Sequence, residues 1–105
     1  RLLYAGLHSA ATTRLDPAAG PGWLAVGDAA AGFDPLSAQG IAKALRAGLF
    51  AAYAVRDALA GRSDAIMRFG SLAARQADTY EASRIAVYRS VARWQNDSFW
   101  RRRSA

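Results

Sequence analysis

The sequence contains no cysteine and a single histidine, His8. Without cysteine there is no disulfide framework, no thiolate nucleophile and no Cys-based zinc site. One histidine without a thiol partner gives a metal site little to build on, and none is expected. A lone histidine near a strand-like segment reads as a surface or hydrogen-bonded residue, so no catalytic role is assigned to it. Long hydrophobic runs are also missing. A membrane-spanning helix needs ~18 apolar residues in a row, and Lys43, Arg46, Arg56 and Asp57 interrupt the best candidate. No secretory signal is visible. A soluble, cytoplasmic protein without a membrane span is the expectation.

Apolar residues make up 52% and charged residues 21% of the 105 residues, a globular composition for one small domain. The net charge of +6 comes almost wholly from arginine, because Lys43 is the lone lysine. Basic chains invite a nucleic-acid reading. Here the arginines are scattered over helical positions, apart from Arg101, Arg102 and Arg103, and no nucleic-acid partner is expected.

Residues 2–8 read as a weak strand, and 12–22 as a loop rich in Pro and Gly. The apolar run 22–26, GWLAV, reads as a short strand buried on both faces. From 37 to 60 the pattern becomes helical, with Ile41, Leu45, Gly48, Leu49, Ala52, Val55 and Leu59 recurring as one stripe. Gly61 sits where a C-terminal cap belongs, and 61–63 is the turn. Ser63 and Asp64 offer a cap and a first-turn carboxylate for a long helix over 64–93. Its inner stripe is Phe69, Leu72, Ala73, Gln76, Tyr80, Val87, Tyr88 and Val91. Asp57, Asp64, Asp78 and Glu81 read as solvated helix residues. Residues 94–105 form an aromatic-basic tail, expected to dock Trp94 and Trp100 on further protein and to leave its arginines in water.

The chemistry concentrates between strand and helix, in GDAAAGFDPLSAQGIAKAL at 27–45. Asp28 follows an apolar strand directly, at the edge where open α/β sheets bind ligands. A carboxylate there suits two hydroxyls of a sugar or sugar alcohol, and Gly27 leaves room for their approach. Asp34-Pro35 bends the loop, since proline fixes φ and forces the preceding residue out of the helical region. Gly40 opens the helix, whose unpaired N–H groups favour negative charge.

The stretch 22–45, WLAVGDAAAGFDPLSAQGIAKAL from Trp23 on, resembles the second FAD-contacting motif of flavoprotein monooxygenases and the related FAD-dependent halogenases. The resemblance is close over about 22–50. It implies an α/β, Rossmann-like FAD fold, of which this chain would be a mostly helical C-terminal portion: one or two short strands and the FAD-contacting loop over 1–36, then two long helices. It implies FAD as cofactor, with Gly27, Asp28, Pro35, Gln39, Gly40 and Ile41 as contact residues and NAD(P)H as electron donor. Asp28 would hold the ribitol, and the amides near Gln39 and Gly40 would face the pyrimidine edge of the flavin. Ala31 stands where ring hydroxylases commonly carry histidine. The order FDPLSAQGI is nearer the halogenases and the related flavoproteins that modify proteins during quinone-cofactor maturation. The catalytic lysine and Trp-rich motif of halogenases have no counterpart here, so monooxygenation is the first reading and halogenation the alternative. The family's G-x-G-x-x-G loop is not in these residues. The first residue is Arg1 rather than Met, which fits a piece of a longer flavoprotein whose N-terminal part is a partner. The substrate, a small molecule or a protein side chain, is not read. A reading of another class is a helical hairpin that binds protein or nucleic acid through its tail.

Overall fold

The computed structural model describes residues 11–94 and 96–105. The expected strand at 2–8, and His8 with it, lie outside the described residues. Four two-residue strands form two antiparallel ribbons. Strand β1 (Thr13–Arg14) pairs with β4 (Ala31–Gly32), Thr13 facing Gly32, and β2 (Ala19–Gly20) pairs with β3 (Trp23–Leu24), Ala19 facing Leu24. Two long helices follow, α1 (Gly40–Leu59) and α2 (Ala65–Ser90), then the short α3 (Ser98–Arg103). The chain is therefore mostly helical with a few short strands, as the sequence suggests.

Several local expectations change. The segment 12–22 is not all loop, because β1 and β2 lie within it. The run 22–26 is not buried on both faces: only Trp23–Leu24 is strand, and Trp23 is 44% exposed. Among the described residues β3 has one strand neighbour, β2, which leaves its other edge unpaired.

The helix predicted from 37 begins instead at Gly40. Pro35–Ser37 forms a separate 3-10 turn, capped by Asp34 Oδ1, which accepts from the Leu36 N–H at 2.9 Å. Ala38 then takes a left-handed conformation at φ 53°, which stops the turn before α1 starts.

The sharpest departure concerns the α1 stripe. Ile41, Leu45, Leu49 and Leu59 are all exposed, and the residues that α1 buries are Ala51 and Ala54. These alanines join Ala19 and Phe69 in the core, with Leu24 and Ile66 against its margin. Small side chains let the helix come close to α2, so the alanine face is the one buried, while the larger residues point away. On α2 the reading is nearer, with Phe69, Tyr80 and Tyr88 buried, although Val87 is exposed. Gly70 allows β2 to lie against this helix, since a Cβ there would meet the Ala19 Cβ at 3.1 Å.

Between the helices, Gly61 has φ 88°. Its N–H donates to the Ala58 carbonyl, and the Arg62 N–H to that of Asp57, the paired bonds of a Schellman stop. Asp64 does occupy the N-cap position of α2, but its side chain does not cap. Its backbone is helical, which turns the carboxylate away from the first amides and toward Arg68, 3.1 Å distant. The helix ends at Ser90, where a 3-10 turn, Ala92–Trp94, takes over.

The tail folds back onto α2. Trp94 stacks on Trp100 with centroids 5.8 Å apart, and Trp100 and Phe99 both pack on Tyr88. Arg103 lies over the Phe99 ring at 4.0 Å. Within this chain the tail packs on α2, because Tyr88 offers an aromatic surface one turn from the end of that helix. Among the described residues no helix is long and apolar enough to cross a membrane.

Candidate functional site

The extended backbone at Val26 turns into a short 3-10 segment, Gly27–Ala29. Gly27 is buried with φ 59°, and a Cβ on it would stand 3.3 Å from the Ala44 Cβ. The turn thus packs directly on the second turn of α1, and glycine is needed there for both conformation and space. Asp28 follows with its side chain 79% exposed. Its Oδ1 accepts from Lys43 Nζ at 2.9 Å. The same ammonium donates to the Ala31 carbonyl and lies 4.1 Å from the centre of the Phe33 ring. Lys43 belongs to the first turns of α1. One cation therefore ties the Gly27-Asp28 turn to the start of that helix.

That helix start is open. Nothing lies within 4 Å of where a Gly40 Cβ would be, and Gln39, Gly40 and Ile41 are exposed. Gln39 occupies the N-cap position without a capping side-chain bond, so the first-turn N–H groups keep their capacity to donate. Beside it a cleft of about 390 Å³ opens between α1 and α2, lined by Phe33, Gln39, Lys43, Arg46, Arg75 and Tyr80 among others, with no carboxylate in its wall. Pro35 lies in the 3-10 turn that leads up to Gln39, on the same loop.

The loop residue that sequence reasoning undervalued is Asp34. Its N–H donates to the Tyr80 hydroxyl at 2.7 Å. Its Oδ2 accepts from the Tyr88 hydroxyl at 2.6 Å, and Arg103 approaches that oxygen to 4.0 Å. The Tyr88 bond, then the Leu36 N–H and the Arg103 and Arg84 charges, hold the Asp34 carboxyl below its ordinary range against the opposing effect of burial. Burial first, and the bond to Asp34 second, push the Tyr88 phenol up. Nothing in the local sequence announces these partners, which come from two tyrosines eight residues apart on α2.

The helix acids expected to be solvated form surface ion pairs, Asp64 and Asp78 remaining exposed and Asp57 half-buried. Asp57 meets Arg56 and Arg62 at 2.8 Å, Asp78 meets Arg14 at 2.5 Å, and Glu81 meets Arg84 at 2.6 Å. Arginine is abundant enough in this chain to find each of them. Among the described residues no group of three or more His, Asp or Glu is placed to hold a metal ion.

The contact residues suggested by the sequence thus fall into two places. Gly27 and Asp28 share one turn, and Pro35, Gln39, Gly40 and Ile41 share the loop and helix start beside it, joined by Lys43. No family model matches the chain, and no solved structure does. The chain is 35% identical over 83 residues, 79% of its length, to "Putative FAD-dependent oxidoreductase LodB" of Marinomonas mediterranea, and spans 22% of that protein's length. The likeness supports a relationship to FAD-dependent oxidoreductases at that general level.

Proposed function

We propose that this chain forms part of the FAD site of a monooxygenase, with the pyrophosphate-binding part supplied by a longer protein. The observation that carries the reading is the Lys43 tie. It sets a carboxylate suited to polyol hydroxyls beside a glycine-led helix start that nothing obstructs. The residues fit the cofactor in kind. Asp28 has one carboxylate oxygen held by Lys43 and projects into solvent, where ribitol hydroxyls would donate to it. The amides near Gln39, Gly40 and Ile41 would favour the electron-rich pyrimidine edge of the flavin. When bound, FAD supplies the redox chemistry, taking reducing equivalents from a donor, proposed as NAD(P)H, and passing them to oxygen. The residues of this chain hold and orient it. The likeness to a protein named an FAD-dependent oxidoreductase supports the FAD part of this reading. The FAD reading is preferred to the binding hairpin because Trp100 packs on both Trp94 and Tyr88, which gives the tail a packing role within the chain.

In the full-length protein, Asp28→Ala should weaken FAD binding by about 1.5–3 kcal/mol, the range for a hydrogen bond to a charged group. Lys43→Met should weaken it as well, by releasing Asp28 from α1. Titration of the apo-protein with FAD, followed by flavin fluorescence, measures both. Wild-type affinity in Asp28→Ala would return that residue to the role of a turn former.

A further inference from the structure

The loop between β4 and α1 is bonded locally through its 3-10 turn, and α2 holds that turn in place from outside. The Phe33 ring lies flat on the Tyr80 ring, centroids 3.7 Å apart and 5° from parallel. At the next residue the Asp34 N–H donates to the Tyr80 hydroxyl, and the Asp34 carboxylate accepts from the Tyr88 hydroxyl. Tyr80 and Tyr88 are about two helical turns apart, so both hydroxyls leave the same face of α2. Phe99 and Trp100 pack on the Tyr88 ring and fix its direction. Arg84 and Arg89 donate to the carbonyls of Arg103 and Ser104, which fastens the end of the chain behind it.

This clamp stands immediately before the one non-glycine residue with positive φ among the described residues. Ala38, at φ 53°, occupies a region that an L side chain disfavours, and it leads directly to Gln39 and Gly40. A disfavoured backbone conformation persists where its surroundings determine it. On one side the surroundings are the Asp34 clamp; on the other they are α1, tied down by Lys43.

We propose that Tyr80 and Tyr88 are positioning residues, whose bonds to Asp34 fix the loop and thereby set where the first amides of α1, from Gly40 on, meet the flavin. The inference rests on the FAD reading. It makes the C-terminal helix α3, through Tyr88, a contributor to a site it does not touch.

The test uses the full-length protein and Tyr88→Phe, which keeps the ring and its packing and removes only the hydroxyl. Two quantities are read: amide hydrogen exchange over 33–40, and the ratio of affinities for reduced and oxidised FAD from a redox titration. Aligned amides favour the more negative, reduced cofactor. The variant should therefore lose three- to tenfold of that preference, and exchange over 33–40 should quicken while α1 and α2 keep their protection. Tyr80→Phe should act in the same direction. Ile66→Val, a change at the core margin that shares no cavity with residues 33–40, should lower the thermal midpoint and leave both readouts unchanged. Unchanged exchange, or faster exchange with an unchanged affinity ratio, overturns the positioning role while FAD binding by the wild type leaves the functional reading standing. A wild-type protein that binds no FAD overturns that reading at its own step, and the flavin role of the clamp with it.

Discussion

The Tyr88 hydroxyl donates to Asp34 Oδ2 across 2.6 Å, joining the loop to α2 over 54 residues of sequence. Both side chains are largely withdrawn from solvent: Tyr88 is 6% exposed, and the Asp34 side chain 13%. The bond joins a charged acceptor to a neutral donor where water competes weakly, and such bonds contribute about 1.5–3 kcal/mol. It also makes stability depend on pH at both ends of the scale.

The folded-state pKa of Asp34 is depressed below its ordinary 3.8, chiefly by Tyr88. Its contribution is present above the unfolded value and is lost as pH falls through the folded one. The Tyr88 pKa is raised above its ordinary 10.0. Its contribution is full below that value and declines as pH climbs through the folded pKa. Tyr88→Phe should therefore lower stability at neutral pH by about 1.5 kcal/mol, and it should flatten both the acid and the alkaline limb. Asp34→Asn should remove the titration of that carboxyl on the acid side. Urea unfolding of the full-length protein between pH 2.5 and 11 checks this. A Tyr88→Phe profile parallel to wild type at both ends would show that the bond does not form in solution.

Two glycines of the motif should behave in opposite ways. Gly27 is buried at φ 59° with Ala44 3.3 Å from its missing Cβ. Gly27→Ala should cost about 1–2 kcal/mol for the left-handed conformation alone, with crowding against α1 added. Gly40 has open space around it. Gly40→Ala should leave the fold unharmed, or stabilise it by up to about 1 kcal/mol, since alanine is the better helix former. Its effect should fall on FAD affinity instead. Thermal unfolding and FAD titration of both variants separate the roles. Equal stability losses at the two positions would mean that the helix start is covered.

The division between what could be read in advance and what could not follows from the range of the forces involved. Gly61 was legible because a helix stop is built from residues 57 to 62, all local. The existence of both long helices was legible from period and composition. The start of α1 was misplaced because Asp34-Pro35 forms its own capped turn, an event that looks like a helix start in sequence. The stripe of α1 misled for a different reason. Periodicity identifies a face, but the contact with α2 selected the alanines, and large apolar residues were left outward. The candidate residues Gly27, Asp28 and Gly40 stand out by type and spacing. Lys43 and Tyr88 do not, because their roles depend on where α1 and α2 carry them.

The outward stripe makes a prediction about the 105-residue chain made by itself. Ile41 is 81% exposed, Leu45 72% and Leu59 85%, a run of large apolar side chains along one side of α1. Isolated exposed leucines are ordinary on protein surfaces, but a contiguous row of them favours association. At roughly 25 cal/mol per Å² of apolar surface removed from water, covering even part of such a row outweighs a few unfavourable polar contacts. The isolated chain should self-associate as its concentration rises. The double change Leu45→Gln with Leu49→Gln should reduce that association strongly. It should cost the fold little, because glutamine is nearly as good a helix former as leucine and neither side chain fills the core. Size-exclusion chromatography with light scattering, over a hundredfold range of concentration, reads the first effect; helicity by circular dichroism and urea unfolding read the second. A wild-type chain that stays monomeric throughout would show that the stripe is too narrow to join copies. A double variant that unfolds readily would show that these leucines are buried in solution and that α1 faces its neighbours differently.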